Sequence, residues 1–202
     1  MKPNLIKIES EYGSLQIKLK DVNILTGDNG SGKTKTLFSL HEYFRLNHSD
    51  YHSLIFDMGE EVHGLLGLIY EYKSANLNTE TLDLFKRKLT TFNLQEYFYL
   101  LVDKSMPTRY DIDCLPRGIR KLIYLLLSLV LYMSEDRTEK SILFIDEPES
   151  SLHLKHQLNL ISELVNWYPN CIILAATHSP GLFCNGWNDC VYDMDYIFTG
   201  KD

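Results

Sequence analysis

The sequence predicts an α/β fold, with a mostly parallel central sheet, an N-terminal β-hairpin and a helical insertion. Three observations predict it. Continuous apolar segments at 141–145 and 171–176 alternate with helical stretches, the pattern of a sheet covered on both faces. A glycine-rich loop, Gly27-Asp28-Asn29-Gly30-Ser31-Gly32-Lys33-Thr34, sits between an apolar strand and a helix, the context in which such loops hold phosphate. Residues 5–9 and 15–19 alternate apolar with polar around Ser10-Glu11-Tyr12-Gly13, as a half-exposed hairpin does.

The elements follow in order. Val22-Asn23-Ile24-Leu25 is a buried strand running into the glycine loop, and 33–46 reads as the following helix. Between about 47 and 135 the pattern turns mostly helical, over 60–72, 79–91 and 94–104, with Leu54-Ile55-Phe56 as a short strand and 96–102 open to either state. Pro116 opens a strongly apolar helix reaching about Met133, and 134–140 is a polar loop. Residues 141–145 form a buried strand, 152–167 an amphipathic helix, 171–176 a second buried strand and 191–198 a final alternating strand. There are no internal repeats or linker-like tracts. The expectation is one domain over 1–202 with a helical insertion at approximately 47–135.

At 202 residues the chain supports one sizeable core rather than two ordinary domains. A net charge of −7 argues against a broad basic face, so strong nonspecific nucleic-acid binding is not expected of the isolated chain. A local basic groove, alone or shared with a partner, stays open. The four cysteines, Cys114, Cys171, Cys184 and Cys190, lack metal-site spacing and fit reduced thiols in a cytoplasmic protein. Lys7, Glu9 and Glu11 interrupt any signal-peptide pattern, and the run from Leu122 to Met133 is too short to span a bilayer. No membrane insertion is expected.

The glycine loop carries the chemistry. Gly27, Gly30 and Gly32 let the backbone fold closely around phosphates, and the following helix adds its positive end. Lys33 is expected to bridge the β- and γ-phosphates of ATP, and the Thr34 hydroxyl to ligate Mg²⁺. The strand Ile142-Leu143-Phe144-Ile145 delivers Asp146 to the carboxyl end of the sheet, where ligands of open α/β sheets collect. Asp146 suits Mg²⁺, directly or through water. Glu147 can orient and deprotonate a water. His178 follows the next buried strand in Thr177-His178-Ser179-Pro180, in reach of the γ-phosphate or the attacking water.

At this point the chain resembles an ABC-class P-loop ATPase of the soluble branch that contains SMC, RecF and OLD-like proteins. Residues 27–34 are similar to that branch's G-x-N-G-S-G-K-[ST] loop (Walker A). Asp146-Glu147-Pro148-Glu149 with Leu152-His153 is similar to its D-E-P-E…L-H segment (Walker B), and Ala176-Thr177-His178-Ser179-Pro180 to its switch-histidine segment. The resemblance implies two heads sandwiching two ATP molecules, each loop facing a signature segment on the opposing head. The candidate signature is Leu115-Pro116-Arg117-Gly118-Ile119-Arg120, where Gly118 would contact the opposing γ-phosphate. Pro116 stands where the family has serine, and proline is equally a good helix start. Gln95 is no clear counterpart of the family's Mg²⁺-coupling glutamine. Tyr12 reads equally as an adenine-stacking aromatic or as a hairpin tyrosine. Ser150-Ser151-Leu152-His153 falls at the family's dimer-contacting loop, though His153 reads equally as a surface residue.

The implied function is Mg²⁺-dependent ATP hydrolysis that closes and opens a homodimer or head–head assembly and thereby controls a separate effector protein. A role in bacterial anti-phage (antiviral) defence or DNA maintenance follows by analogy only. The nuclease module of OLD-type relatives and the long coiled coils of SMC-type relatives are not expected here, and nucleic acid stays open as a partner. The alternative is a nucleotide-gated assembly module with little turnover. A transporter ATP subunit and a small-molecule kinase fit the motifs less well.

Overall fold

In the computed structural model the described residues are 6–10, 13–57, 64–74, 79–99, 107–133 and 140–199. The chain divides into two compact units, Met1–Gly59 with Thr138–Asp202, and Glu60–Arg137.

The first unit is built on a five-stranded sheet. Its strands are β3 (Val22–Thr26), β4 (Tyr51–Asp57), β5 (Lys140–Asp146), β6 (Cys171–Ala176) and β7 (Val191–Asp193), in the order β4-β5-β6-β3-β7. Every pairing is parallel. Parallel strands of one sheet need crossover connections, and helices lie on two of them: α1 (Lys33–Asn47) between β3 and β4 at separate places in the sheet, and α6 (Leu154–Trp167) between the neighbours β5 and β6. Strands covered on both faces carry apolar residues at every position. Accordingly β5 is buried from Ser141 to Asp146 and β6 along its whole length.

Helix α1 places Leu37, Leu40 and Phe44 on one buried face, the spacing of an amphipathic stripe. Phe44 meets Phe144 of β5 edge-on with ring centroids 6.1 Å apart, and Tyr51 at 5.4 Å. The hairpin, β1 (Ile6–Ser10) and β2 (Gly13–Ile17), pairs Ile6 with Ile17, and both side chains are buried in this same core. Polar Asn23 lies fully buried in β3 but stays satisfied. It donates to the carbonyls of Lys20 (2.8 Å) and Ile173 (3.3 Å) and accepts from Lys20 N–H, which removes the cost of burying an amide.

The second unit is helical: α2 (Gly64–Ser74), α3 (Thr79–Thr91), a 3₁₀ turn (Gln95–Phe98), α4 (Arg109–Asp113) and α5 (Arg117–Tyr132). Helices α2 and α3 both pack on α5, with Tyr72 and Phe85 6.2 Å apart between ring centroids. Thr108 and Asp111 form a capping box at the start of α4, which satisfies two otherwise orphaned amides. Among the described residues no helix is long and apolar enough to cross a membrane. The four cysteines are free thiols.

Several boundaries differ from the sequence reading. Residues 51–57 form a full strand of the sheet, longer than the short strand expected at Leu54-Ile55-Phe56, and the compact helical unit spans Glu60–Arg137. Within the stretch 94–104, Gln95–Phe98 form a 3₁₀ turn and Tyr99 is helical, while 100–104 lie outside the described residues. The final strand is confined to Val191–Asp193, and α7 (Met194–Thr199) follows where 191–198 was expected to continue extended. The ladder partner explains this last difference. Thr26 pairs with Asp193, and beyond Thr26 the chain turns into the glycine loop, leaving nothing for further strand to pair with. Asp193 Oδ1 then accepts Asp195 N–H (3.0 Å), a cap-type bond at the start of the helix.

Candidate nucleotide site

The loop between β3 and α1 takes its shape from glycine. Gly27, Gly30 and Gly32 have φ of 142°, 87° and 85°, values that side chains disfavour. Gly32 N-caps α1 in the left-handed conformation. Lys33, 6% exposed, turns back along the loop. Its Nζ donates to the carbonyls of Gly27 (2.9 Å) and Asp28 (2.8 Å) and to Ser31 Oγ (3.4 Å). Burial pulls this ammonium below its ordinary pKa, against the carboxylates of Asp195, Asp146, Glu147 and Asp28, which favour its charge.

Thr34 Oγ1 donates to Asp146 Oδ1 at 3.2 Å. The hydroxyl comes from the first turn of α1 and the carboxylate from the end of β5, 112 residues on. Two hard oxygen donors at this separation suit a small divalent ion such as Mg²⁺. Asp146 is 4% exposed, and burial pushes its pKa up to about 6, helped by the charges of Asp57, Glu147 and Glu149 and opposed by the Thr34 bond. Asp57 comes close because β4 and β5 pair in register, with Asp57 opposite Asp146.

A stability prediction follows. The folded carboxyl keeps its proton up to about 6, whereas the ordinary value is 3.8. Folding therefore takes up a proton between these values, and stability falls as pH rises through that window. Asp146→Asn is expected to stabilise the chain above pH 6 by on the order of 3 kcal/mol and to change little below pH 4. Urea melts at pH 4 and pH 8 check it; equal stabilisation at both would remove charge burial as the cause.

Glu147 leaves β5 with φ 46°, in the left-handed region that a residue with a Cβ occupies only when its surroundings hold it there. They do: Glu147 N–H donates to Ala176 O (2.9 Å), and its own carbonyl accepts Ser150 N–H (2.9 Å). The turn takes its side chain off the line of Asp146. The segment after β6 is anchored equally well. Thr177 N–H donates to Leu25 O (2.9 Å), Thr177 Oγ1 accepts Ser179 N–H (2.9 Å), and Ser179 Oγ donates to Gln157 Oε1 (2.7 Å). His178 N–H donates to Glu149 Oε1 at 2.7 Å.

One cavity of about 300 Å³ gathers these groups, lined by Asn29, Gly30, Gly32, Lys33, Thr34, Lys35, Glu147 and His178. Its volume lies at the low end for ligand pockets, roughly 300–1,000 Å³. A larger open groove of about 740 Å³ runs beside α3, but its described lining comes from that single helix, whose solvated charges offer no convergent chemistry. Ammonium, hydroxyl, carboxylate and imidazole around one space can hold a polyphosphate and direct a water at it.

Gly118 belongs to the other unit, at the second position of α5. Pro116 is the N-cap of that helix and carries no side-chain cap bond. His153 N-caps α6, its Nδ1 accepting Lys155 N–H (3.2 Å). Gln95 is exposed on the 3₁₀ turn, and Tyr12 lies outside the described residues. Sequence reasoning missed three neighbours of the site: Asp57, Glu149 in its role toward His178, and Asp195, whose carboxylate accepts Asp28 N–H at 2.7 Å. Only Asp195 left a local signal, the Asp193-Met194-Asp195 helix start.

The parallel sheet, the glycine loop ahead of α1 and the carboxylates ending β5 define an ATP-binding, P-loop ATPase-like domain. The family model described as "AAA domain, putative AbiEii toxin, Type IV TA system" matches residues 68–185, more than half of the chain, and the chain belongs to that family. The match takes in Gly118, Asp146, Glu147 and His178 and begins after the glycine loop. No curated protein shows significant sequence similarity. Among solved structures, the fold is similar to a nucleotide-free ATP-binding cassette from an ABC transporter (14% identity, TM-score 0.55), covering 95% of this chain and 85% of that one. It is also similar to UvrA2 from Deinococcus radiodurans (12% identity, TM-score 0.52), covering 89% of this chain and 33% of that one.

Proposed function

We propose that this chain is a Mg²⁺-dependent ATPase head of the SMC/RecF/OLD-like branch, whose cycle closes and opens a head–head dimer and controls a separate effector. The observation that carries the reading is the shared cavity of Lys33, Thr34, Glu147 and His178. Lys33 and the amides of 29–34 would hold the β- and γ-phosphates of ATP, charge against charge. Thr34 and Asp146 would hold Mg²⁺, which when bound offsets negative charge on the phosphates. Glu147 would take a proton from the attacking water as its oxygen bonds to the γ-phosphorus. The bond from that phosphorus to the β–γ bridging oxygen would break, ADP leaving with the electron pair, and His178 would donate to a γ-phosphate oxygen. The hydrogen bonds fixing Glu147 and the His178 segment favour such a role, since preorganised groups need no rearrangement during the reaction.

Gly118 would meet the γ-phosphate of a second copy, using amides at the start of α5, a helix end suited to anions. The family description, which names a toxin of a type IV TA system, supports an effector or partner encoded separately and a setting in bacterial defence. A cytoplasmic location follows from that setting. Light scattering of the native chain tests the assembly: mass is expected to double in MgATP relative to MgADP. An unchanged mass in both nucleotides would remove the head–head dimer. Pro116 as N-cap of α5, in place of a serine with a side-chain bond, favours the second reading, a nucleotide-gated assembly module with little turnover.

A further inference from the structure

We propose that Asp195 is a positioning residue that sets the nucleotide affinity of the glycine loop, acting on Lys33 through the peptide group joining Gly27 to Asp28. The inference rests on the nucleotide-site reading above. That single peptide group is held at both ends. Its carbonyl, on Gly27, accepts from Lys33 Nζ at 2.9 Å, and its N–H, on Asp28, donates to Asp195 Oδ2 at 2.7 Å. Carboxylate, peptide and ammonium thus form one chain in which each hydrogen bond polarises the next. Both bonds are charge-assisted, the stronger class. Lys33 Nζ also holds the next carbonyl, that of Asp28, at 2.8 Å.

Gly27 makes this approach feasible. A Cβ at that position would stand 2.9 Å from Asp195 Oδ2 and 2.8 Å from Ser31 Oγ, closer than such atoms approach. A side chain at Gly27 would therefore displace the Asp195 carboxylate packed on it, besides being disfavoured by the φ of 142°. Asp195 reaches the loop because β7 stops at Asp193 and α7 begins at Met194. Of the carboxylates acting on Lys33, Asp195 acts most strongly.

Neither Asp28 nor Asp195 is among the residues described as lining the cavity. A polyphosphate held by those lining residues would leave the Asp28 amide to Asp195. Its two effects have opposite signs. The hydrogen bond braces the loop and favours ligand; the fixed negative charge beside Lys33 opposes an incoming anion. Neutralising the charge while keeping an acceptor separates them.

The test is titration calorimetry of the full chain with MgADP at low and high salt, comparing native protein with Asp195→Asn and Asp195→Ala. Asp195→Asn keeps an acceptor for Asp28 N–H and is expected to bind about 3- to 10-fold more tightly at low salt, with the gap closing as salt rises. Asp195→Ala gives up the brace as well and is expected to bind more weakly than Asp195→Asn. Equal or weaker binding by Asp195→Asn at low salt overturns the inference, as does a gain indifferent to salt, which a purely structural role would give. Thermal melts establish that each variant is folded, and Asp195→Ser replaces the asparagine form if that one is not. If the native chain itself binds no MgADP, the nucleotide-site reading fails and this inference falls with it.

Discussion

Glu147→Gln is expected to slow ATP hydrolysis about 100-fold or more while leaving MgATP binding in place. The amide matches the carboxylate in size and keeps an oxygen toward the cavity, but it cannot take a proton from water. The backbone turn survives the change, because φ 46° at this position is held by Glu147 N–H to Ala176 O and by Ser150 N–H to Glu147 O, and neither bond uses the side chain. Steady-state phosphate release on both forms, with affinity measured by calorimetry, separates chemistry from binding. Native turnover no faster than that of the variant would transfer the chain to the gated assembly reading.

Lys33→Ala is expected to weaken MgATP binding about 100-fold or more, since charge-assisted bonds to phosphate contribute roughly 1.5–3 kcal/mol each and every 1.4 kcal/mol is tenfold. The alanine form loses an ammonium that is 6% exposed and lines the cavity. It also removes the Lys33 donor from the carbonyls of Gly27 and Asp28, the latter keeping Ser31 N–H at 3.1 Å, which loosens the loop that would cradle the phosphates. Calorimetry with ATP and Mg²⁺ reads the loss directly. Native-like affinity would take away the assignment of 27–34 as a phosphate loop, and the function proposed on it.

The strands and helices that were legible in the sequence are those whose signal is local and strong. Strand β6 has the bounds that its apolar pattern predicts and β5 differs by one residue at each end, because burial on both faces leaves little room for polar residues. Helix α3 has its expected bounds as well, burying Phe85, Lys88 and Leu89 on one face. Strand β4 was mostly missed. It is an edge strand with five of its seven positions only half buried, so its sequence, Tyr51 to Asp57, shows neither clean alternation nor a continuous apolar run. The last strand was overextended for the opposite reason. Alternation continues past Asp193, but the neighbouring strand ends at Thr26, and extended backbone without a partner gives way to a capped helix.

Within the site, the residues of one short segment were readable and the links between segments were not. Thr34 and Asp146 were both expected at the divalent ion on chemical grounds, yet their 3.2 Å contact depends on β3 and β5 flanking β6. The hold of Glu149 on the His178 amide depends on the pairing of β5 with β6, where Asp146 stands opposite Ala176.

By itself the sequence determined the loop chemistry, the carboxylate pair at a strand end and the α/β class. Glycine's backbone freedom, ionisable side chains and apolar periodicity act over a few residues and need no distant partner. Only the tertiary structure decided which carboxylates reach Lys33 and what steadies His178. Those contacts join positions as far apart as 28 and 195. They exist because parallel pairing in one register brings several strand ends to the same edge of the sheet, and register is a property of the assembled sheet rather than of any one segment.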